Sequence, residues 1–438
     1  MWEMSDRSRA TESGDMEKRP EVDDSSSMVE MRMLESRKGI ISFRTGSPGA
    51  ETFRGCSDMI LTATRNLMTQ TQDVDLDTIF RYGPSGGDKK ILQRLSEFLT
   101  EEYGNTVDSS DLMLTAGATQ GLHMILSLLC QQSTPVFVED PCYFYGFRMI
   151  RDDLRMNLVP VPSDDAGINT ETLEELLVSY KPANSSDKGY WAVVYLVPVF
   201  GNPTGFTYSE ECCHKLVQLA RRHNVLLVVD DAYNLLYFTE APSAPPRLIS
   251  FDKKTDVDYG KGHVISNGTF SKICAPSLRL GWIEGPAHLI SYLKSSNLSH
   301  SGGCFNHYMS LLMDSILRSG VLSQHVRWLR ETYKKRMDVL CNVLDEYSPD
   351  GSSYYPPKGG FFLWLKLRHD IDAFEFLRFA AKNFDISFLP GICSSPTGSF
   401  KNWARLSISS ISKEEVQEGA RRLCLAYQEF LKGSAASS

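Results

Sequence analysis

The chain has 438 residues, of which 42% are hydrophobic, 11% aromatic and 23% charged, enough apolar material for a substantial core and far from the balance of a disordered or fibrous chain. Its formal charge of -8 lacks the basic excess of a general nucleic-acid binder. No run approaches the roughly 18 apolar residues of a bilayer-spanning helix, so no membrane partner is expected.

The N-terminus, MWEMSDRSRATESGDMEKRPEVDD, has no basic start followed by an apolar run, and it is too acidic for a mitochondrial presequence; a cytoplasmic protein is expected. Residues 1–36 carry ten acidic and five basic side chains with little periodic apolar signal before Met28, and read as a disordered acidic tail. From Ile40 the texture changes, with Gly46, Pro48 and Gly49 marking an irregular loop. Between Asp111 and Glu284 short apolar runs (LMLT, VFVE, WAVVYLVPV, VLLVVD, HVIS, LGWIE) alternate with segments of helical period such as Thr119 to Gln131 and Tyr208 to His223. That alternation predicts a layered α/β unit with a largely parallel sheet. A long charged helix is expected from about Asn306 to Asp345. Beyond Pro356 and Pro357, the strands GGFFLWLKL, ISFLPG and WARLSIS and the helices Ala373 to Asn383 and Lys413 to Leu431 predict a smaller α+β module. Ten cysteines, with one vicinal pair at Cys212 and Cys213 and no C-x-x-C spacing, are expected to be reduced and mainly structural.

Three segments carry chemistry. In GTFSKICAPSLRLG, Lys272 follows a strand among Thr269, Ser271 and Arg279: an amine able to form a Schiff base beside hydroxyls and a cation suited to phosphate. The same lysine in a polar loop also fits a solvated surface residue. In VVDDAY, Asp230 and Asp231 end an apolar strand where open α/β sheets bind ligands, although aspartate also favours helix caps and turns. No third oxygen-rich motif completes a metal site, and no metal is expected. In VFGNPTG, Asn202 is either a turn residue or an amide held at the sheet edge.

Taken together, ISFRTGSPG, RYGPSGGDKKILQRL, LTAGATQGL, EDPCYFYG, GNPTG, DDAY, FSK with APSLRLG, PPKGGFFLWL and WARLSIS resemble, in order, the motifs of fold-type I pyridoxal-phosphate aminotransferases of class I/II, in the α-aminoadipate/kynurenine aminotransferase-like branch. The resemblance covers about residues 40 to 430. It implies an aspartate aminotransferase-like fold: a three-layer αβα large domain over 76–324 with a mostly parallel seven-stranded sheet, and a small α+β domain from 37–75 and 325–438. By the same likeness Lys272 would hold pyridoxal 5'-phosphate as a Schiff base and then move the proton. Asp230, three residues before Tyr233, would pair with the pyridine nitrogen, and Asn202 and Tyr233 would bond the phenolic oxygen. Gly117, Ala118 and Thr119 at a helix start, with Thr269, Ser271 and Arg279, would hold the phosphate. Tyr143 would stack on the ring, or lie in the core. Tyr82 would reach the phosphate of a second copy in a homodimer, Gly46 would line the substrate site, and Arg405 would fork onto the substrate α-carboxylate.

The implied reaction moves the amino group of an L-amino acid, 2-aminoadipate-like, aromatic or aliphatic, to 2-oxoglutarate. The alternative is a lyase or decarboxylase of the same fold. This branch also occurs behind winged helix-turn-helix domains, for which residues 1–36 are too short and too acidic. Where relatives commonly have Ala-Gly before the residue matching Gly46, this chain has Arg44 and Thr45; Arg32, Arg37 and Arg44 are each candidates to read the substrate side chain.

Overall fold

A computed structural model describes residues 30, 31, 33, 37, 39–69, 76–183, 189–238 and 244–435. Most of the acidic tail, Arg32 included, lies outside them. Within it Glu30, Met31 and Met33 are helical, Met31 is fully buried, and Glu30 pairs with Arg378 at 2.7 Å.

After the two-residue β1 (Ile41–Ser42) come the strands of the large sheet: β2 (Leu112–Thr115), β3 (Pro135–Asp140), β4 (Asn157–Asp164), β5 (Gly167–Ile168), β6 (Val193–Leu196), β7 (Leu226–Asp231), β8 (Val264–Thr269) and β9 (Gly281–Glu284). Their order is β2-β9-β8-β7-β6-β3-β4-β5. β4, β3, β6, β7 and β8 run parallel to their neighbours in this order, whereas β9 is antiparallel to β8 and β2, and the two-residue β5 folds back on the end of β4. Seven strands of four or more residues thus form the expected mostly parallel sheet, with β5 as an eighth. Both faces are covered. Alternate residues of the central strands divide between two cores: Val194, Leu196, Leu227 and Val229 meet Leu216 and Leu219 of helix Glu210–His223, while Val193, Tyr195, Leu226 and Val228 belong to the core of helix Ala118–Leu129. Residues buried on both faces give the near-continuous apolar runs seen in the sequence.

β4 is absent from the strands predicted by apolar runs because Pro160 and Pro162 interrupt its pattern. It pairs with β3 along its length but meets β5 only at Ser163 and Asp164, so its prolines sit on a strand with an open outer side, where the missing N–H costs no ladder bond.

The remaining strands, β10 (Phe362–Lys366), β11 (Ile386–Ser387), β12 (Leu389–Pro390) and β13 (Trp403–Ser407), build a three-stranded antiparallel sheet ordered β10-β13-β12 and a parallel pair of β1 with β11. Early and late chain therefore meet in one unit. The long helix predicted from Asn306 to Asp345 is instead two, His307–Arg318 and Val321–Tyr347, broken where Gly320 takes φ 70°, a conformation glycine adopts without the Cβ clash. Helix Ala50–Thr69 packs against His307–Arg318 and so bridges the two domains expected from the resemblance.

Candidate active site

The carboxyl ends of β7 and β8 open onto one cavity of about 370 Å³, closed from the opposite side by the loop after β1 and by β13. Gly46, Ala118, Thr119, Tyr143, Asn202, Asp230, Tyr233, Thr269, Ser271, Lys272, Arg279 and Arg405 all line it. Residues spread over some 360 positions of sequence converge because each lies in the last residues of a strand, in the loop that follows one, at a helix start, or on β13.

β7 delivers two adjacent carboxylates to opposite fates, since successive side chains leave opposite faces of a strand. Asp231 is taken up structurally, accepting from Ser266 Oγ at 2.5 Å and Asn234 Nδ2 at 2.9 Å. Asp230 faces the cavity. Its Oδ2 accepts from Tyr195 at 3.1 Å, whereas its buried Oδ1 has no hydrogen-bond partner. Burial raises its pKa to about 7, opposed by the Tyr195 bond and reinforced by Asp231.

Lys272 stands in the turn after β8, its ammonium donating to the Gly46 carbonyl at 3.0 Å. Desolvation lowers it to about 8; Asp230 works against that shift, and Arg405 and Arg279 add to it. Arg405, on β13 opposite Trp364 and Leu389, is almost fully buried. It donates to Asn202 Oδ1 at 2.7 Å and to the Arg44 carbonyl, and its guanidinium lies 4.4 Å from the Phe362 ring centroid. Its Nε is buried without a partner. Burial, with the neighbouring Arg44 charge, brings its pKa down to about 10 although Tyr233 opposes the shift. Tyr233 sits edge-on to Phe361 and Phe362, and burial raises the phenols of Tyr233 and Tyr143.

Helix Ala118–Leu129 aims its N-terminus at the same space, where unpaired amides and the helix dipole favour an anion. Gly117, with φ 83°, does not itself line the cavity; a Cβ there would lie 2.8 Å from Arg279 Nη2, so the glycine lets that guanidinium reach the helix start. Thr269 Oγ1 donates to Ser271 Oγ at 2.9 Å and accepts from its amide. Tyr82 is not brought to the cavity of its own chain and is 85% exposed. Of the side-chain candidates, Arg44 lines the cavity, while Arg37 is engaged elsewhere, donating to the Ala381 carbonyl at 2.7 Å beside Asp385. Tyr195, which donates to the cavity carboxylate Asp230, is a contact that the sequence pattern hides. Its one signal is a phenol within a wholly buried strand, which needs a hydrogen-bond partner.

The family model for aminotransferase class I and II matches residues 56–423. The chain belongs to that family. As a pyridoxal-phosphate-dependent aminotransferase it is 29% identical over 407 residues to aromatic-amino-acid aminotransferase 1 of Thermococcus litoralis, covering 93% of this chain and 92% of the relative. It matches the crystal structure of a multiple substrate aminotransferase from Thermococcus profundus with a TM-score of 0.80 at 27% identity, over 95% of this aminotransferase and 96% of that chain. It also matches an α-aminoadipate aminotransferase of Thermus thermophilus, complexed with N-(5'-phosphopyridoxyl)-L-leucine, with a TM-score of 0.76 at 26% identity, over 93% and 95% of the two chains.

Proposed function

We propose that this aminotransferase moves the amino group of an L-amino acid with an aromatic, aliphatic or 2-aminoadipate-like side chain to 2-oxoglutarate. The observation that carries the reading is the convergence on one cavity of an amine, a buried carboxylate with a free oxygen, an anion cradle and a buried arginine. The donor range rests on the likeness to aminotransferases named for aromatic and 2-aminoadipate substrates.

These residues fit pyridoxal phosphate. Asp230 Oδ1, buried and unpartnered, suits the protonated ring nitrogen, and a cation there would offset the desolvation that raises its pKa. Ala118 and Thr119 at the helix start, with Gly117 before them and Thr269, Ser271 and Arg279 opposite, would hold the phosphate. Asn202 and Tyr233 would bond the phenolic oxygen and Tyr143 would cover a ring face. Tyr82 would complete the cradle of a second copy, making the active unit a homodimer. We divide the chain accordingly into a large cofactor-holding domain over 76–324 and a small domain from 37–75 and 325–438, with Ala50–Thr69 packed across the boundary.

When bound, the cofactor supplies a carbonyl for the amino group and a ring that takes up the electron pair left at the substrate α-carbon. The protein's own residues do the rest. Arg405 is held by Asn202, the Arg44 carbonyl and the Phe362 face before any substrate arrives, so its fork is oriented for an α-carboxylate without reorganisation. Lys272, brought to about 8 by desolvation, has a neutral fraction near neutral pH and is suited to remove and return the α-proton. Both an amino acid and a 2-oxo acid carry that carboxylate, so one arginine serves both halves of the exchange. A panel of amino donors assayed against 2-oxoglutarate tests the reading: glutamate should form with at least one of the three donor classes, and release of ammonia or carbon dioxide without glutamate would contradict it.

A further inference from the structure

Two residues beyond Lys272 lies a cluster that the transamination chemistry does not use. Cys56, on helix Ala50–Thr69, and Cys274, which ends the turn carrying Lys272, are both 2% exposed and free. Cys56 Sγ donates to the Cys274 carbonyl at 3.1 Å and lies 3.5 Å from His325 Nε2, which sets the two cysteines side by side. His325 stacks on Trp328 at 5.5 Å and forms a wall of a surface groove that also takes in Gly55, the residue before Cys56. A buried thiol with an imidazole and a second cysteine beside it, separated from a surface groove by His325 and Gly55, has a base at hand and a resolving partner nearby.

We propose that Cys56 and Cys274 are a redox-sensitive dithiol behind the catalytic lysine, Cys56 acting as nucleophile and Cys274 as resolving thiol, with a hydroperoxide as oxidant. The Cys56 thiolate attacks the peroxide oxygen, the O–O bond breaks, and the departing oxygen leaves as water or an alcohol with the proton relayed by His325; Cys56 is then a sulfenic acid. Cys274 attacks that sulfur, the S–O bond breaks, and the hydroxide leaves as water with the Cys274 proton. In sum two thiols lose two electrons to one peroxide, and a dithiol reductant reverses the change. The order follows from the imidazole of His325, which lies 3.5 Å from the Cys56 thiol and is placed to take its proton. The neighbouring Cys274 and then His325 draw Cys56 below the usual thiol range against the push of burial, while Cys274 is raised, as burial raises Cys130, Cys142 and Cys304.

The turn Phe270–Cys274 is closed by the Cys274 amide donating to the Phe270 carbonyl at 2.8 Å, and it presents Ser271 and Lys272 to the cavity. An S–S bond of about 2.05 Å is far shorter than any non-bonded approach of two sulfurs, so oxidation draws the end of this turn toward helix Ala50–Thr69 and shifts the lysine.

The test treats the full-length holoenzyme with hydrogen peroxide, blocks remaining thiols with iodoacetamide, and maps peptides without reduction. A linked peptide joining Cys56 to Cys274 is expected, with turnover falling at least fivefold and returning on addition of dithiothreitol. In Cys274→Ser, dimedone should trap a sulfenic acid at Cys56; in Cys56→Ser, neither product should form. The wild-type mapping needs no variant to fold and reads the cross-link independently of any substrate. Peroxide that links other cysteines, or that leaves Cys56 and Cys274 both alkylated by iodoacetamide after denaturation, would overturn the proposal.

Discussion

Lys272, Asp230 and Arg405 are each shifted from ordinary titration by desolvation around one cavity, which gives testable consequences in the cofactor-free protein. Burial raises Asp230 from the ordinary carboxylate value of 3.8 to about 7 in the folded protein, so the folded form holds a proton that the unfolded chain has already lost between those values. Stability therefore falls as pH rises from about 4 to about 7, and the full penalty persists above 7. Asp230→Asn removes it: the variant's cofactor-free Tm should exceed the wild type's by about 2 °C or more at pH 8, with the gain shrinking as pH falls toward 4. Thermal melts across that range check the sign, and a difference independent of pH would contradict it. With cofactor bound the same substitution should act in the opposite sense, by removing the partner of the ring nitrogen. Arg405→Ala should lower kcat/KM by a factor equivalent to about 2–5 kcal/mol, since a charge-assisted pair in a buried site is lost; Arg405→Lys should recover little, because an ammonium cannot fork. Steady-state kinetics with one donor decide this. Taken alone, Lys272 also fits a surface lysine and Asn202 a turn residue; these two and Arg405 are singled out in the sequence by the ordered motifs of the resemblance. The choice between Asp230 and Asp231 rested on spacing to Tyr233; its physical basis, the capture of Asp231 by Ser266 and Asn234, depends on contacts 3 and 35 residues away.

At the scale of elements, the cavity depends on how closely helix Ala118–Leu129 approaches β8. A Cβ on Gly121 would stand 2.2 Å from Asn267 Oδ1, and Asn267 also donates to the Ala118 carbonyl at 2.8 Å, fastening the first turn of the helix to the sheet. Gly121→Ala should push that turn away, destabilising the fold by about 1–3 kcal/mol and weakening retention of the phosphate-bearing cofactor. Denaturant unfolding and equilibrium dialysis measure the two effects; full stability with unchanged cofactor affinity would count against the close approach. Elements whose apolar runs are uninterrupted, β6 and β7 above all, were legible because burial on both faces writes a continuous signal. β4 was obscured by two prolines that an open strand edge tolerates, and the break at Gly320 was lost in a helical period that continues on both sides of it.

For the whole molecule, the composition said little about partners: five of the eight net negative charges lie in residues 1–36. The pairing of β1 with β11 ties the start of the described fold to its end, a long-range contact that no local pattern announces. Phe80 and Tyr82 stand 71% and 85% exposed on the single chain, two large aromatic side chains that a second copy would cover. The homodimer reading predicts a solution mass about twice the chain's 49.2 kDa by light scattering, and Tyr82→Ala should reduce cofactor retention; a fully active monomer would refute the shared site. The central claim, transamination at this cavity, is tested most directly by following a nitrogen-15-labelled L-amino donor mixed with the holoenzyme and 2-oxoglutarate. The account predicts the label in glutamate with the donor's 2-oxo acid formed in equal amount, and loss of both in Lys272→Ala. Label appearing as ammonium, or donor carbon released as carbon dioxide, would contradict it.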